Sequence, residues 1–177
     1  MAVPTPPLRP AAVQRACILV VEDTDDIRFF LAALLQDQYQ VLAAASGTDG
    51  LHLAAHSPRP DLILLDVLMP DMDGYEVLQR LRQDSRTADI PVIFLTALSS
   101  AQEEQRGLDM GAIDYVTKPI SPPILLARIK VHLERSANAR RLKNLSEQLS
   151  RSLAPQVSQS LFVGSRRAET RPRRSRP

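Results

Sequence analysis

The sequence predicts a doubly wound α/β fold, in which helices cover both faces of a five-stranded parallel sheet. Short apolar runs alternate along the chain with longer segments of helical spacing. Runs such as LILL and VIFL are apolar at every position, which is typical of strands buried on both faces. Strict alternation of strand and helix requires crossover connections between parallel neighbours. A C-terminal helical extension is predicted to follow this sheet domain.

Five strands are predicted from short apolar runs, which are Ile18–Val21, Gln40–Ala44, Leu62–Leu65, Val92–Leu95 and Tyr115–Thr117. The segments between them place apolar residues three and four positions apart, as in the series Ile27, Phe30, Leu31, Leu34 and Leu35. Comparable spacing predicts further helices around Leu51 and Ala55, from Val77 to Leu81, and over Gln102 to Asp109. Strands and helices are therefore expected to alternate through the domain.

Ser121 precedes two prolines, and this pattern predicts the start of the last helix of the domain. Serine is a favoured N-cap, and proline has the φ angle of a first helical turn. The helix is predicted to run from Pro122 to about His132. Pro155 is expected to break or end a further helix beyond it. Four leucines give that further helix an apolar stripe: Leu142, Leu145, Leu149 and Leu153.

These patterns divide the chain into four segments. Residues 1–15 have four prolines among the first ten positions and are predicted to be a disordered lead-in. Residues 16–135 form the sheet domain, residues 136–154 a coiled-coil-like helical linker, and residues 155–177 a basic, mostly disordered tail. The leucine stripe could pack on its own domain, but a stripe on an extension with few other apolar residues favours a parallel homodimer.

The net charge of +2 hides an uneven distribution. Residues 1–135 contain 12 Lys/Arg and 18 Asp/Glu, whereas residues 136–177 contain 10 and 2. A basic extension is compatible with a nucleic-acid-binding arm or with a solvated linker. The tail has no helix-turn-helix pattern and few aromatic residues for base stacking, so sequence-specific nucleic-acid binding is not expected.

Several classes of protein are not expected from this sequence. No stretch approaches the roughly 20 apolar residues that cross a bilayer, and the N-terminus lacks a signal-peptide core. We therefore expect a cytoplasmic protein with no membrane partner. The single cysteine, Cys17, allows neither an internal disulfide nor a cysteine zinc cluster. It lies in an apolar run, and we interpret it as a small buried hydrophobic residue.

Polar and charged residues follow four of the five predicted strands. Glu22 and Asp23 follow the first strand, Asp66 the third, Thr96 the fourth and Lys118 the fifth. The carboxyl ends of parallel strands meet at one edge of the sheet, so these side chains should lie together. Clustered carboxylates need a cation, and an oxygen-only site suits Mg²⁺ or Mn²⁺. With a metal and Lys118 supplying positive charge and Thr96 a hydrogen bond, Asp66 could act as a nucleophile toward a phosphoryl group.

Each of these residues also has an ordinary structural interpretation. An Asp at a strand end is more often a turn former or a helix cap, Thr96 could simply end a strand, and Lys118 could be a surface charge. Complementary chemistry at four strand ends together is what favours a functional site. A phosphatase of the haloacid dehalogenase type also uses an aspartyl nucleophile, but it carries a second Asp two residues later, where this chain has Leu68.

Four segments together resemble a known family: ILVVEDTDDIR, DLILLDVLMPDMDGYEVLQRLR, IPVIFLTA and GAIDYVTKP. In order and spacing they are similar to the response-regulator receiver domain of two-component, or phosphorelay, signalling. The resemblance covers about residues 16–135. It implies the flavodoxin-like receiver fold, a signalling switch rather than an enzyme with an external substrate, and a sensor histidine kinase or phosphotransfer protein as partner.

The resemblance also implies a role for individual residues. Asp66 would be the phosphorylation site, and Glu22 and Asp23 the acidic pair that binds Mg²⁺ together with Asp66 and the backbone carbonyl of Leu68. Asp23 would bind the ion most directly. Thr96 would move toward the phosphoryl group, Tyr115 would be the aromatic switch, and Lys118 would precede a cis peptide to Pro119. The output face would lie at about residues 101–133, on helix four, strand five and helix five.

Two features of this sequence depart from many members of the family. Glu22 stands where relatives often have Asp, so its longer side chain is expected to reach the metal through water. Leu68 and Leu98, two residues after Asp66 and Thr96, stand where relatives often have polar groups. Apolar side chains there would position an attacking water poorly, so we expect a long-lived phosphoryl-aspartate.

The sequence gives the least information on the output, that is, on the effector that this domain would regulate. The segment LSRSLAPQVSQSLF and the basic stretch ending in RPRRSRP resemble the connector that precedes class III nucleotide cyclase domains. That resemblance implies a regulatory fragment whose dimeric helix passes the signal to a cyclase effector. The alternatives are a stand-alone regulator acting through protein contacts and a nucleic-acid-binding regulator using the Arg-rich tail.

Overall fold

The computed structural model describes residues 15–97 and 101–163, apart from the side chains of residues 101, 103, 104 and 153–163. The described chain forms two units, with the division after Leu133. Of the predictions above, those for residues 1–14, for Leu98 and for residues 164–177 lie outside the described residues. No helix among the described residues combines the length and the apolar composition needed to cross a membrane.

Strand and helix alternate throughout the first unit. The strands are β1 (Cys17–Val21), β2 (Gln40–Ala44), β3 (Leu62–Asp66), β4 (Val92–Thr96) and β5 (Asp114–Thr117). The helices are α1 (Asp25–Leu35), α2 (Gly47–Ala55), α3 (Gly74–Gln83), α4 (Ala101–Asp109) and α5 (Pro122–Val163). The five apolar runs of the sequence thus became strands, with bounds that differ by at most one residue at either end.

The five strands form one parallel sheet in the order β2-β1-β3-β4-β5. Strands β1, β3 and β4 are buried at every position, as their continuous apolar runs predict. One core cluster joins the sheet to α2 and α3, and a second joins its other face to α1 and the first turns of α5. The predicted doubly wound α/β fold is confirmed. Cys17 is a buried free thiol, and burial raises its pKa.

Helix α5 differs from the sequence prediction. The prediction had a helix ending near His132 and a second helix ending at Pro155, whereas α5 runs without a break from Pro122 to Val163. Neither Gly nor Pro occurs between Leu133 and Ala154, so nothing in the sequence interrupts the helix there. The helix also continues past Pro155, since one proline removes a single amide donor and helical backbone can resume after it.

Candidate functional site

The carboxyl edge of the sheet gathers the residues that the sequence singled out. Strand order reverses direction between β1 and β3, and such a switch point leaves a crevice at the carboxyl ends of the two strands. Glu22 and Asp23 directly follow β1, and Asp66 is the last residue of β3. Thr96 ends β4, and Lys118 directly follows β5.

The three carboxylates form a compact cluster. One carboxylate oxygen from each of Glu22, Asp23 and Asp66 lies within 4.8 Å of the other two. Glu22 and Asp66 are buried, at 0% and 3% exposure, while Asp23 is partly exposed. Three carboxylates held this close in a largely buried position suit a small divalent cation with oxygen ligands, such as Mg²⁺ or Mn²⁺. The donor set therefore fits the metal that the sequence predicts.

Lys118 supplies the positive charge that the cluster needs without a metal. Its Nζ lies 2.8 Å from Oε2 of Glu22 and 3.1 Å from Oδ1 of Asp66. Burial works against the charge of Lys118, but the hydrogen bonds to Glu22 and Asp66 outweigh it and raise the pKa of the ammonium group. The peptide between Lys118 and Pro119 is cis. Lys118 is thus a charged group tied to both buried acids.

Asp66 is electrostatically strained in this arrangement. Burial raises the pKa of Asp66 to about 6, the charge of Glu22 acts in the same direction, and Lys118 opposes both. The backbone N–H of Leu68 also donates to the Asp66 carboxylate. A second cation would relieve the remaining repulsion between Asp66 and Glu22.

In Mg²⁺-free buffer, we expect the stability of the protein relative to Asp66→Asn to fall as pH rises from about 4 to about 6. The pKa of Asp66 is raised from 3.8 to about 6 on folding. The folded state therefore binds more protons than the unfolded state in this window, and that contribution is lost as pH rises through 6. At pH 7.5 the Asn variant should be the more stable protein by about 1 to 3 kcal/mol.

Urea unfolding of both proteins at a series of pH values, with a chelator present, measures this difference. A gap that is the same at pH 4 and pH 7.5 would show that Asp66 carries no such strain.

The β3–α3 loop brings backbone close to Asp66. Leu68, two residues after Asp66, is 54% exposed, whereas Asp66 itself is 3% exposed. Asp73 caps α3 by accepting a hydrogen bond from the Glu76 amide at 2.8 Å. The amide of Gly74 donates to the carbonyl of Val67 at 2.9 Å. The start of α3 is therefore tied directly to the loop that carries Leu68.

Thr96 is the last residue of β4, at the same end of the sheet as Asp66, and Tyr115 is the second residue of β5, where it pairs with Phe94 of β4. Thr96 is 6% exposed, and its backbone carbonyl accepts a hydrogen bond from the Lys118 amide at 2.8 Å. Tyr115 is partly buried on β5 and packs against the core cluster under α2 and α3. Both residues are thus connected to the strand ends that carry Asp66 and Lys118.

Two residues that shape this site were not singled out from the sequence. Gly74 lies so close to β3 that a Cβ at this position would overlap the carbonyl oxygen of Asp66. A glycine directly after Asp73, a residue type that favours helix N-caps, is the available signal in the sequence. Arg28 donates to the carbonyls of Glu22 and Asp23. In the sequence it is only a charged residue within a predicted helix.

The fold and the site together define a doubly wound α/β domain with an acidic site, and solved structures with this architecture match over nearly their whole length. The chemotaxis protein CheY4 of Vibrio cholerae matches with a TM-score of 0.62 at 35% identity, covering 66% of this chain and 97% of that one. A receiver domain of a putative Luxo repressor protein from Vibrio parahaemolyticus matches with a TM-score of 0.67 at 29% identity, covering 72% and 97%. Residues 18–130 also match the family model of the response regulator receiver domain. The chain belongs to the response regulator receiver family.

Curated relatives that match this chain have names that indicate different functions. A probable cyclic di-GMP phosphodiesterase of Vibrio cholerae is 40% identical over 137 residues, which are 77% of this chain and 31% of that protein. The DNA-binding transcriptional regulator RpaA of Synechocystis is 39% identical over 151 residues, 83% and 62%. The response regulator PleD of Caulobacter vibrioides is 43% identical over 116 residues, 65% and 25%. The chain thus spans between a quarter and about three fifths of these relatives.

Proposed function

We propose that this domain is a phosphorylation-dependent switch in which Asp66 accepts a phosphoryl group from a sensor histidine kinase or a phosphotransfer protein. The observation that carries the proposal is the buried Asp66 carboxylate, clustered with Glu22 and Asp23 and paired with Lys118. A structural aspartate needs neither two neighbouring acids nor a lysine shared with one of them.

Asp23, Asp66 and the backbone carbonyl of Leu68 are the proposed direct ligands of Mg²⁺. Both carboxylate oxygens of Glu22 already have protein partners, since Oε1 accepts from the Thr24 amide and Oε2 from Lys118. This favours contact between Glu22 and the ion through water. When bound, Mg²⁺ neutralises negative charge on the transferred phosphoryl group.

The proposed reaction is a simple displacement at phosphorus. A carboxylate oxygen of Asp66 forms the new P–O bond, and the P–N bond to the donor histidine breaks. Lys118, which pairs with Asp66 at rest, then pairs with a phosphoryl oxygen, and the Thr96 hydroxyl donates a hydrogen bond to another. These groups stabilise charge, and the domain catalyses only its own phosphorylation and dephosphorylation.

Phosphorylation is proposed to reach the face formed by α4, β5 and the first turns of α5. A phosphoryl group adds about 1.5 to 2 negative charges, which draws Thr96 inward and leaves space for Tyr115. Tyr115 stands on β5 next to Asp114, which accepts hydrogen bonds from Arg128 and from His132, the latter at 2.9 Å. A movement of β5 would therefore be transmitted to α5.

The purified chain should gain one phosphoryl mass when incubated with acetyl phosphate and Mg²⁺, and Asp66→Asn should gain none. Intact mass spectrometry with and without a chelator measures this. No gain by the folded wild-type protein would mean that the domain works as an unphosphorylated interaction module. The same sample, followed over time, reports the lifetime of the phosphoryl-aspartate, which we expect to be long because the apolar side chain of Leu68 would position an attacking water poorly; a half-life of seconds would contradict that.

The leucine stripe of the second unit is proposed to form a parallel homodimer. Leu142, Leu145 and Leu149 are 69%, 55% and 62% exposed. Each would remove apolar surface from water in a two-stranded coiled coil, worth about 1.5 to 3 kcal/mol per leucine. Three exposed leucines at helical spacing on a charged helix are otherwise unfavourable.

Replacing Leu145 and Leu149 together by Lys should weaken the dimer by at least about 100-fold, since two buried apolar side chains are lost. Light scattering over a concentration series measures the dissociation constant. The matched control replaces Asn144 and Ser150 together by Lys, at exposed positions of the same helix outside the stripe, and should have a much smaller effect. An equal effect of the control, or none of the leucine variant, would contradict a dimer through this stripe.

The proposed output is a cyclase-type effector carried on a longer form of the protein or provided in trans, in the cytoplasm. The support is the resemblance of the linker and tail sequence to the connector that precedes class III nucleotide cyclase domains. A stand-alone regulator acting through protein contacts is the alternative. The test measures the activity of a cyclase that is recovered together with this chain from the cells that produce it. The phosphorylated chain should change that activity, and Asp66→Asn should not.

A further inference from the structure

We propose that Arg28 is a positioning residue for the Mg²⁺ site, because it fixes the backbone that carries the two acids after β1. The inference rests on the proposed function of the cluster. It goes beyond that function by assigning a role to a residue on α1 whose contacts among the described residues are with two backbone carbonyls, Asp25 and the Phe29 ring rather than with the carboxylates of the cluster.

The guanidinium of Arg28 binds the loop between β1 and α1 at three places. Its Nη1 lies 2.8 Å from the carbonyl oxygen of Glu22 and 3.3 Å from that of Asp23. Its Nη2 pairs with the carboxylate of Asp25. The side chain is only 14% exposed, and its bonds to the two carbonyls are partly buried, whereas the pair with Asp25 is exposed. One planar group thus holds two successive carbonyls, which the fork geometry of arginine allows.

The loop has few other restraints. Thr24 is the N-cap of α1, but its side chain makes no capping hydrogen bond. Its other backbone hydrogen bonds among the described residues join the Glu22 amide to the carbonyl of Ala44 at 3.1 Å, the Thr24 amide to Oε1 of Glu22 at 3.1 Å, and the Arg28 amide to the carbonyl of Thr24 at 2.9 Å. None of these three bonds involves the backbone of Asp23. Among the described residues, Arg28 is therefore the side chain whose hydrogen bond holds the carbonyl of Asp23 in place.

This restraint bears on metal binding because Asp23 is the partly exposed member of the cluster. Its carboxylate lies within 4.8 Å of those of Glu22 and Asp66, although no hydrogen bond among the described residues holds that carboxylate in place. Partners that orient a metal ligand are typically worth about 10-fold to 100-fold in metal affinity. Arg28 would act in this way through the backbone.

The positive charge of Arg28 and its positioning role predict opposite effects on Mg²⁺ affinity when Arg28 is replaced, so one measurement distinguishes them. A guanidinium close to the site repels a divalent cation, so removing its charge should tighten Mg²⁺ binding. If Arg28 positions Asp23, then Arg28→Met should raise the Mg²⁺ dissociation constant about 10-fold despite the loss of a positive charge. Arg28→Lys keeps the positive charge but lacks the forked guanidinium group, and it should also raise the Mg²⁺ dissociation constant.

The experiment is isothermal titration of Mg²⁺ into the full chain, for wild type, Arg28→Met and Arg28→Lys. Arg59→Met is the matched control, because Arg59 likewise binds a backbone carbonyl, that of Arg86 at 3.0 Å, and a carboxylate, that of Asp89. It should leave the dissociation constant unchanged. At saturating Mg²⁺, phosphorylation of the Arg28 variants should return to within about twofold of wild type, since the groups that act on phosphorus are intact.

An unchanged or lower dissociation constant in Arg28→Met, or in Arg28→Lys if the first variant does not fold, would overturn the role of Arg28. An equal increase of the Mg²⁺ dissociation constant in Arg59→Met would also overturn this role, because that increase would reflect a change in stability alone. If the wild-type chain itself binds no Mg²⁺, the proposed function fails as well, so the two failures are distinguishable.

Discussion

Lys118→Met is expected to destabilise the Mg²⁺-free protein by about 3 to 5 kcal/mol, the usual cost of removing one partner from a buried ion pair. Lys118 lies 2.8 Å from Glu22 and 3.1 Å from Asp66, and Glu22 is fully buried. The variant would leave two close carboxylates without their counter-charge. Added Mg²⁺ should restore a large part of the loss, since the ion supplies positive charge to the same cluster.

Phosphorylation of Lys118→Met by acetyl phosphate should also slow by on the order of 100-fold, because a charged donor to the phosphoryl oxygens is lost. Urea unfolding with and without Mg²⁺ measures the first effect, and the rate of mass gain measures the second. Lys130→Met, at an exposed position of α5, is the control and should change stability by less than about 0.5 kcal/mol. A Lys118 variant that matched this control in both assays would exclude the proposed role of Lys118.

Gly74→Ala is expected to cost about 3 kcal/mol of stability and to reduce phosphorylation further than the loss of folded protein explains. The added Cβ would overlap the carbonyl oxygen of Asp66 and lie 2.9 Å from Cα of Val67. Both contacts are with backbone, so no change of rotamer relieves them, and α3 or the end of β3 must shift. A shift of β3 moves Asp66 itself.

Gly107→Ala is the matched control, because its Cβ would approach mainly the ring of Phe94, at 3.0 Å, from within α4. Alanine is the better helix former by about 1 kcal/mol, which offsets a small adjustment of the ring. Thermal unfolding and the phosphorylation rate under conditions where both variants are folded separate the two effects. Equal rates for the two variants would show that Asp66 tolerates displacement of its backbone.

The parts of the fold that could be predicted from the sequence are those with a local signature. Continuous apolar runs identified β1, β3 and β4, because strands buried on both faces have few polar positions. The grouping of Glu22, Asp66 and Lys118 also followed, because parallel strands bring their carboxyl ends to one edge whatever the details of packing.

The parts that could not be predicted depend on tertiary contacts or on the balance of weak local preferences. Arg28 reaches back across the first turn of α1 to two carbonyls, and nothing in the spacing of charges distinguishes this from a solvent-facing arginine. The helix end predicted near His132 was wrong, because the apolar contacts of the helix with the core end near Leu133 whereas its helical backbone continues. Pro155 likewise does not end α5. The helix continues to Val163, although proline removes one backbone hydrogen-bond donor.

The most direct test of the central claim is to locate the phosphoryl group on the chain. Reduction of the acetyl phosphate-treated protein with borohydride converts an aspartyl phosphate to homoserine, and peptide mass spectrometry then identifies the position. We expect homoserine at position 66 alone, only when Mg²⁺ is present during phosphorylation, with Asp23 and Asp71 unmodified. Homoserine at another position, or at position 66 to the same extent with a chelator present, would contradict the proposed role of Asp66.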